Sequence, residues 1–168
     1  FLINPLVDLQ IVGAVVPINV SALARASFGG VTFDPFSALI RRDYRLAYAT
    51  FNLWIAEFAK ESPKDSIPGS LLWLRGLSAA QLAAYDTAIS DFRRLLERSQ
   101  KVEQESLTAI PLMTNDFRYM LATLEYRSRR LDAAIDLYKE ALANDAGLFM
   151  AHIQLGRAVG PGSGAWLF

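Results

Sequence analysis

Cysteine is absent from this chain of 168 residues, and histidine occurs once, as His152. The first absence excludes disulfides, thiolate nucleophiles, thiolate-held zinc and covalent haem attachment through cysteine. It suits an oxidising or a reducing compartment equally. The second leaves any metal site without a second imidazole, so His152 reads as an ordinary packed or surface residue before it reads as a ligand. An excess of either charge is missing too. The 17 basic residues balance 17 acidic ones, which removes the electrostatic case for nucleic acid or an anionic membrane surface. Phe28-Gly29-Gly30 is not followed by the Lys-Ser/Thr of a phosphate loop. Glu103 and Glu105 sit beside an expected loop with no apolar pocket implied, and read as solvent-facing. These residues nominate no catalytic, cofactor-binding or metal-binding group, and the chain reads as non-enzymatic.

Charge is almost missing from residues 1–33, which contain only Asp8 and Arg25. Long uninterrupted apolar runs are missing as well, since Pro5, Gly13 and Pro17 break this region. A membrane-spanning helix needs about 20 consecutive apolar residues, so no span of the chain's own is expected here. The Val, Ile and Asn content with those breakers predicts extended segments and turns. Ile11 to Val20 has the length of a signal-peptide apolar region and Ala22-Leu23-Ala24 resembles its cleavage site, but no basic start precedes them. Residues 1–33 are therefore expected to be a retained apolar arm. It docks either on this chain's own helices or on another protein, with Leu9, Ile11, Val12, Val15, Ile18 and Phe28 as candidate contacts.

What the chain does contain is a pattern that occurs twice: Ala88-Ile89-Ser90-Asp91-Phe92 and Ala134-Ile135-Asp136-Leu137-Tyr138. Each copy has a small residue twelve positions upstream, Gly76 and Ala122. Small residues let two helices approach closely, and the aromatic four positions on lies one turn along the same face. Leu121-Ala122 returns as Leu155-Gly156 after 34 residues, the period of the tetratricopeptide repeat. The chain resembles that family through Leu121, Ala122, Tyr126, Leu131, Ala134, Ile135, Tyr138, Ala141 and Leu142, and earlier through Trp73, Gly76, Tyr85, Asp86, Ala88, Ile89, Phe92 and Leu96. A weaker copy runs through Tyr44, Ala47, Phe51 and Trp54. Departures are visible. Ala47 to Ala88 is 41 residues and Ala88 to Ala134 is 46, Arg75 and Leu95 replace smaller or more apolar residues, and Ala146 stands where a proline is usual.

The resemblance implies an all-α solenoid of antiparallel helix pairs, about three and a half units over residues 34–159, acting through surface burial. Asp34-Pro35 predicts a short helix to Arg42, followed by helices over 45–60, from Asp65 or Ser66 to 83, 85–100, 116–128 and from 132. Thr114 or Asn115 is the expected cap of the fifth, and 101–113 an inserted loop carrying Ala109-Ile110-Pro111-Leu112-Met113. Asp91, Arg93, Arg94 and Glu97 read as a solvated face. Arg127, Arg129 and Arg130 read as an exposed basic turn, either plainly solvated or gripping an anionic group. Tyr44, Tyr48, Phe51, Trp54 and Phe58 form a core stripe. The tail, 160–168, is a glycine-rich breaker ending in Trp166 and Phe168, which either cover the open end of the array or anchor in a partner. The expected function is an interaction scaffold, an accessory subunit of a larger and possibly membrane-associated protein assembly, with other protein subunits as partners and no nucleic acid. A free adaptor that takes a peptide or small ligand in a concave groove, or a helical enzyme domain without recognisable motifs, are the alternatives.

Overall fold

The computed structural model describes residues 35–61, 67–105 and 111–160. The expected arm with Leu9, Ile11, Val12, Val15, Ile18 and Phe28, the pair Ala109-Ile110, and the tail with Trp166 and Phe168 lie outside them. Among the described residues there are seven helices and no strand: α1 (Pro35–Ile40), α2 (Tyr44–Glu61), α3 (Gly69–Gln81), α4 (Tyr85–Glu105), α5 (Pro111–Arg127), α6 (Leu131–Asn144) and α7 (Phe149–Val159). The chain divides into two compact units at Ser78 and Ala79.

In the first unit α1 packs on α2. Ala47, Phe51, Trp54 and Ile55 of α2 are buried at the three- and four-residue spacing of one helix face. Phe51 and Trp54 meet edge to face with ring centroids 5.9 Å apart, the arrangement that aromatic quadrupoles favour. Phe58 at the end of the expected stripe is exposed, so the core face stops a turn earlier. Residue 68 corrects the expected start of α3. Pro68 precedes the helix, and its carbonyl accepts from the Leu71 and Leu72 amides at 3.0 and 3.3 Å.

One turn geometry recurs three times. Between α1 and α2, α3 and α4, and α5 and α6, the residues Arg42, Ala83 and Arg129 have φ of 62°, 58° and 66°. The residue after each donates its amide five positions back: Asp43 to Ala38, Ala84 to Ala79 and Arg130 to Glu125, at 2.8 to 2.9 Å. Arg42, Ala83 and Arg129 themselves donate three positions back, to Leu39, Ala80 and Tyr126. This is the Schellman termination, which satisfies carbonyls that the helix end leaves open. It needs a left-handed residue and is built here without glycine. Each following helix then opens alike, with the amides of Ala47, Ala88 and Ala134 donating to the carbonyls of Asp43, Ala84 and Arg130. These three alanines are fully buried, as are Phe51, Phe92 and Tyr138 four positions further on.

In the second unit α4 packs on α5, α5 on α6, and α6 on α7. Ala122, Ala134, Tyr138 and Ala151 form one buried cluster, with Tyr119, Tyr126, Leu142, Leu148 and Leu155 packed around it. Tyr138 donates to Thr123 Oγ1 at 3.1 Å, and burial pushes its phenol up from the usual tyrosine range. Phe92 and Phe117 join α4 to α5 with centroids 6.4 Å apart. The expected loop over 101–113 is largely helix instead. Helix α4 runs on to Glu105 and α5 begins at Pro111, since proline at the first helical position loses no hydrogen bond. Thr114 and Asn115 consequently sit inside α5 and do not cap it. Thr114 hydrogen-bonds Ser99 of α4, while Asn115 Nδ2 donates to the Ala141 carbonyl at 3.1 Å. Helix α6 likewise begins at Leu131, with Arg130 before it and no side-chain cap.

Candidate functional site

The residues expected to pack are placed as follows. Trp73, Gly76, Ala88, Phe92, Leu121, Ala122, Ala134, Tyr138 and Ala141 are buried, while Tyr85, Tyr126, Leu155 and Gly156 are half-buried. His152 is exposed, its Nε2 3.0 Å from the Ala146 carbonyl. Glu103 and Glu105 fall in the last turn of α4.

The chemistry concentrates where the three turns differ. The residue five positions before the end of the turn is Ala38 in the first, Ala79 in the second and Glu125 in the third, and all three are buried. Alanine fills that place at no electrostatic cost, whereas a carboxylate there must be partnered. The Glu125 side chain is 2% exposed, and both of its oxygens are engaged. Arg93 Nη2 of α4 donates to Oε1 at 3.0 Å, and Arg130 Nε donates to Oε2. Arg130 Nη1 also reaches Asp86 in the first turn of α4 at 3.0 Å. Glu125 and Arg130 are thus tied twice, once through the backbone and once through the side chains. Hydrogen bonds to Glu125 first, and to Asp86 second, hold the Arg130 guanidinium still more firmly protonated than an ordinary arginine.

These contacts correct two expectations. Arg130 is not part of a plainly solvated basic turn, because it is bound to a buried carboxylate. Arg127 is half-buried at the end of α5, and Arg129 alone of the three is an exposed residue outside the clasp. Nor is the Asp91 to Glu97 stretch only a solvated face. Asp91 is fully buried, and Arg93 turns toward Glu125. Glu125, Asp86 and Ser90 were not nominated as site residues by sequence reasoning. The signal was present in register, since overlaying the three turns puts glutamate where the others carry alanine.

Around the clasp lies an open cleft of about 450 Å³, lined by Asp86, Ile89, Ser90, Arg93, Arg94, Glu97, Glu125, Arg130 and Ala133. Positions 86, 89, 90, 93, 94 and 97 are successive turns of one face of α4. The side chains of Arg93 and Arg130 are 57% and 44% exposed, so each meets water while tied to Glu125. Elsewhere on α5, Asp116 is half-buried, and burial, with a smaller contribution from Asp145, raises its carboxyl above the usual range. Among the described residues no helix is long and apolar enough to cross a membrane. No protein-family model and no curated protein matches this chain.

Proposed function

We propose that the chain is a tetratricopeptide-like scaffold that acts by burying surface against other protein subunits, without catalysis, as an accessory member of a larger and possibly membrane-associated assembly. The observation that carries this reading is the recurrence of one turn, one buried alanine and one buried aromatic at 43–51, 84–92 and 130–138. A helix pair built this way presents its remaining faces to neighbours and is suited to binding. Large apolar side chains left in water agree with a partner: Ile40 is 83% exposed and Phe149 70%.

The test is isolation of the tagged chain from its source cells at native abundance, followed by size-exclusion chromatography and cross-linking mass spectrometry. A partner held at fixed stoichiometry is expected, with occupancy lowered by Ile40→Ser combined with Phe149→Ser, and lowered further by deleting residues 1–33 while the helical spectrum is kept. A chain that elutes alone as a stable monomer, with neither change altering its behaviour, overturns the subunit reading and favours a free adaptor.

A further inference from the structure

We infer that the outer face of α7 is a seat for an amphipathic helix supplied by another protein, one carrying a small residue and, four positions on, an aromatic. The inference rests on the protein-binding reading above, and names the surface and the kind of partner. Register along the chain identifies the face. Leu155-Gly156 repeats Leu121-Ala122 after 34 residues, so each position of α7 has a counterpart in α5. Helix α5 takes α6 on one of its faces. Asn115 donates to the Ala141 carbonyl, Ala122 clusters with Ala134 and Tyr138, and Tyr119 and Thr123 meet Tyr138 through its ring and its hydroxyl. The counterparts of 115, 119, 122 and 123 in α7 are Phe149, Ile153, Gly156 and Arg157. Phe149 and Arg157 are exposed, and Ile153 and Gly156 half-buried. The other side of α7 is already in use. Ala151 and Ala158, counterparts of Phe117 and Leu124, are buried, and α7 packs on α6. Helix α7 thus joins the array as α5 does, and among the described residues it keeps open the face that α5 has covered.

In α5 the covering helix follows directly in sequence, through a turn closed by the Arg130 amide, as Asp43 and Ala84 close the other two. After α7 the left-handed residue is Gly160, with φ of 78°. Its amide donates four positions back, to Gly156 at 3.2 Å, where Arg42, Ala83 and Arg129 donate three back. The place of Asp43, Ala84 and Arg130 is taken by Pro161. Proline has no amide hydrogen, so the bond that closes the other three turns is impossible here, and the covering helix is supplied from another chain. Its chemistry is read from α6. A small residue in the place of Ala134 sits against Gly156, which allows an approach at least as close as Ala122 does. An aromatic in the place of Tyr138 packs on Ile153 and lies beside the Arg157 guanidinium, which favours a ring face. Phe149 then covers the next turn, in the way that helix-in-groove recognition spaces its anchors.

The probe is a capped peptide of residues 130–145, the α6 sequence that covers the equivalent face, titrated into the ¹⁵N-labelled full chain. Saturable amide shifts are expected at residues 148–160, with Kd below ~1 mM. The same peptide with Ala134→Arg is expected to bind about tenfold more weakly or worse, since its side chain no longer fits against Gly156. In the chain, Gly156→Leu fills the seat from the other side with the same expected loss, and Phe149→Ser should weaken binding about threefold or more. If circular dichroism shows that Gly156→Leu unfolds, Phe149→Ser carries the test. Absence of saturable shifts, shifts confined to other helices, or equal binding by the Ala134→Arg peptide overturns the seat. Two outcomes overturn the assignment to another protein. One is deletion of 161–168 that by itself moves the 149–157 amides and opens them to the peptide, which makes the chain's own tail the occupant. The other is a dimer lost in Phe149→Ser, which makes it a second copy. A native partner held at fixed stoichiometry and unaffected by Gly156→Leu overturns this surface and leaves the scaffold reading standing.

Discussion

Removing the Glu125 carboxylate isolates the energetic role of the clasp. In Glu125→Ala two charge-assisted hydrogen bonds vanish, those from Arg93 and Arg130. Each such bond contributes about 1.5–3 kcal/mol when the group left behind stays buried. Here the partners left behind are 57% and 44% exposed and regain water, and Arg130 keeps Asp86, so the expected loss is about 2–3 kcal/mol for the pair together. The opposite truncation differs in kind. Arg130→Ala strands a carboxylate at 2% exposure with Arg93 as its one remaining arginine, and is expected to cost nearly as much. Asp86→Asn, at 93% exposure, should cost well under about 1 kcal/mol. Urea unfolding followed by far-ultraviolet circular dichroism measures all three, repeated at about 1 M salt, where surface pairs are screened and the buried one is not. The reasoning is refuted if Glu125→Ala falls within about 0.5 kcal/mol of the parent, or if Asp86→Asn proves as costly as Glu125→Ala.

Two further outcomes follow from other places in the fold. Burial raises the Asp116 carboxyl, so between the ordinary and the raised pKa the native state holds more protons than the unfolded one, and stability falls as pH rises through that window. Asp116→Asn should therefore stabilise at neutral pH, and its advantage should fade as the pH falls through the raised pKa and be gone below about 4; thermal melts across pH check this, and a gain that persists in acid would contradict it. Ala88→Trp and Ala134→Trp place an indole where the alanines are fully buried, and each should cost at least about 1–3 kcal/mol by overpacking. Melting temperatures unchanged in both variants would remove the close helix contact on which the paired-helix reading depends.

The two kinds of result divide along the chain. Ala47, Ala88 and Ala134 with their aromatics four positions on were legible because helix periodicity is a local property, and spacing by three and four decides which side chains share a face. The end of α2 was legible too, since the expected span 45–60 meets a helix that ends at Glu61. The boundary between α4 and α5 was misplaced because Thr114 and Asn115 look like caps, and whether a hydroxyl or amide caps its own helix depends on what else it can reach. Ser99 and the Ala141 carbonyl offer those alternatives, and neither is visible from residues 114 and 115 alone.

By itself the sequence determined that the described residues are helical and which alanines and aromatics share a buried face. Only the tertiary structure decided where its charges are used. Arg93 and Glu125 are 32 residues apart, and Asp86 and Arg130 are 44 apart. Along the chain each looks like a member of a solvated face or turn. Packing α4 against α5 takes Glu125 out of water, and a carboxylate without water must find donors, so Arg93 and Arg130 are drawn from the surface to supply them.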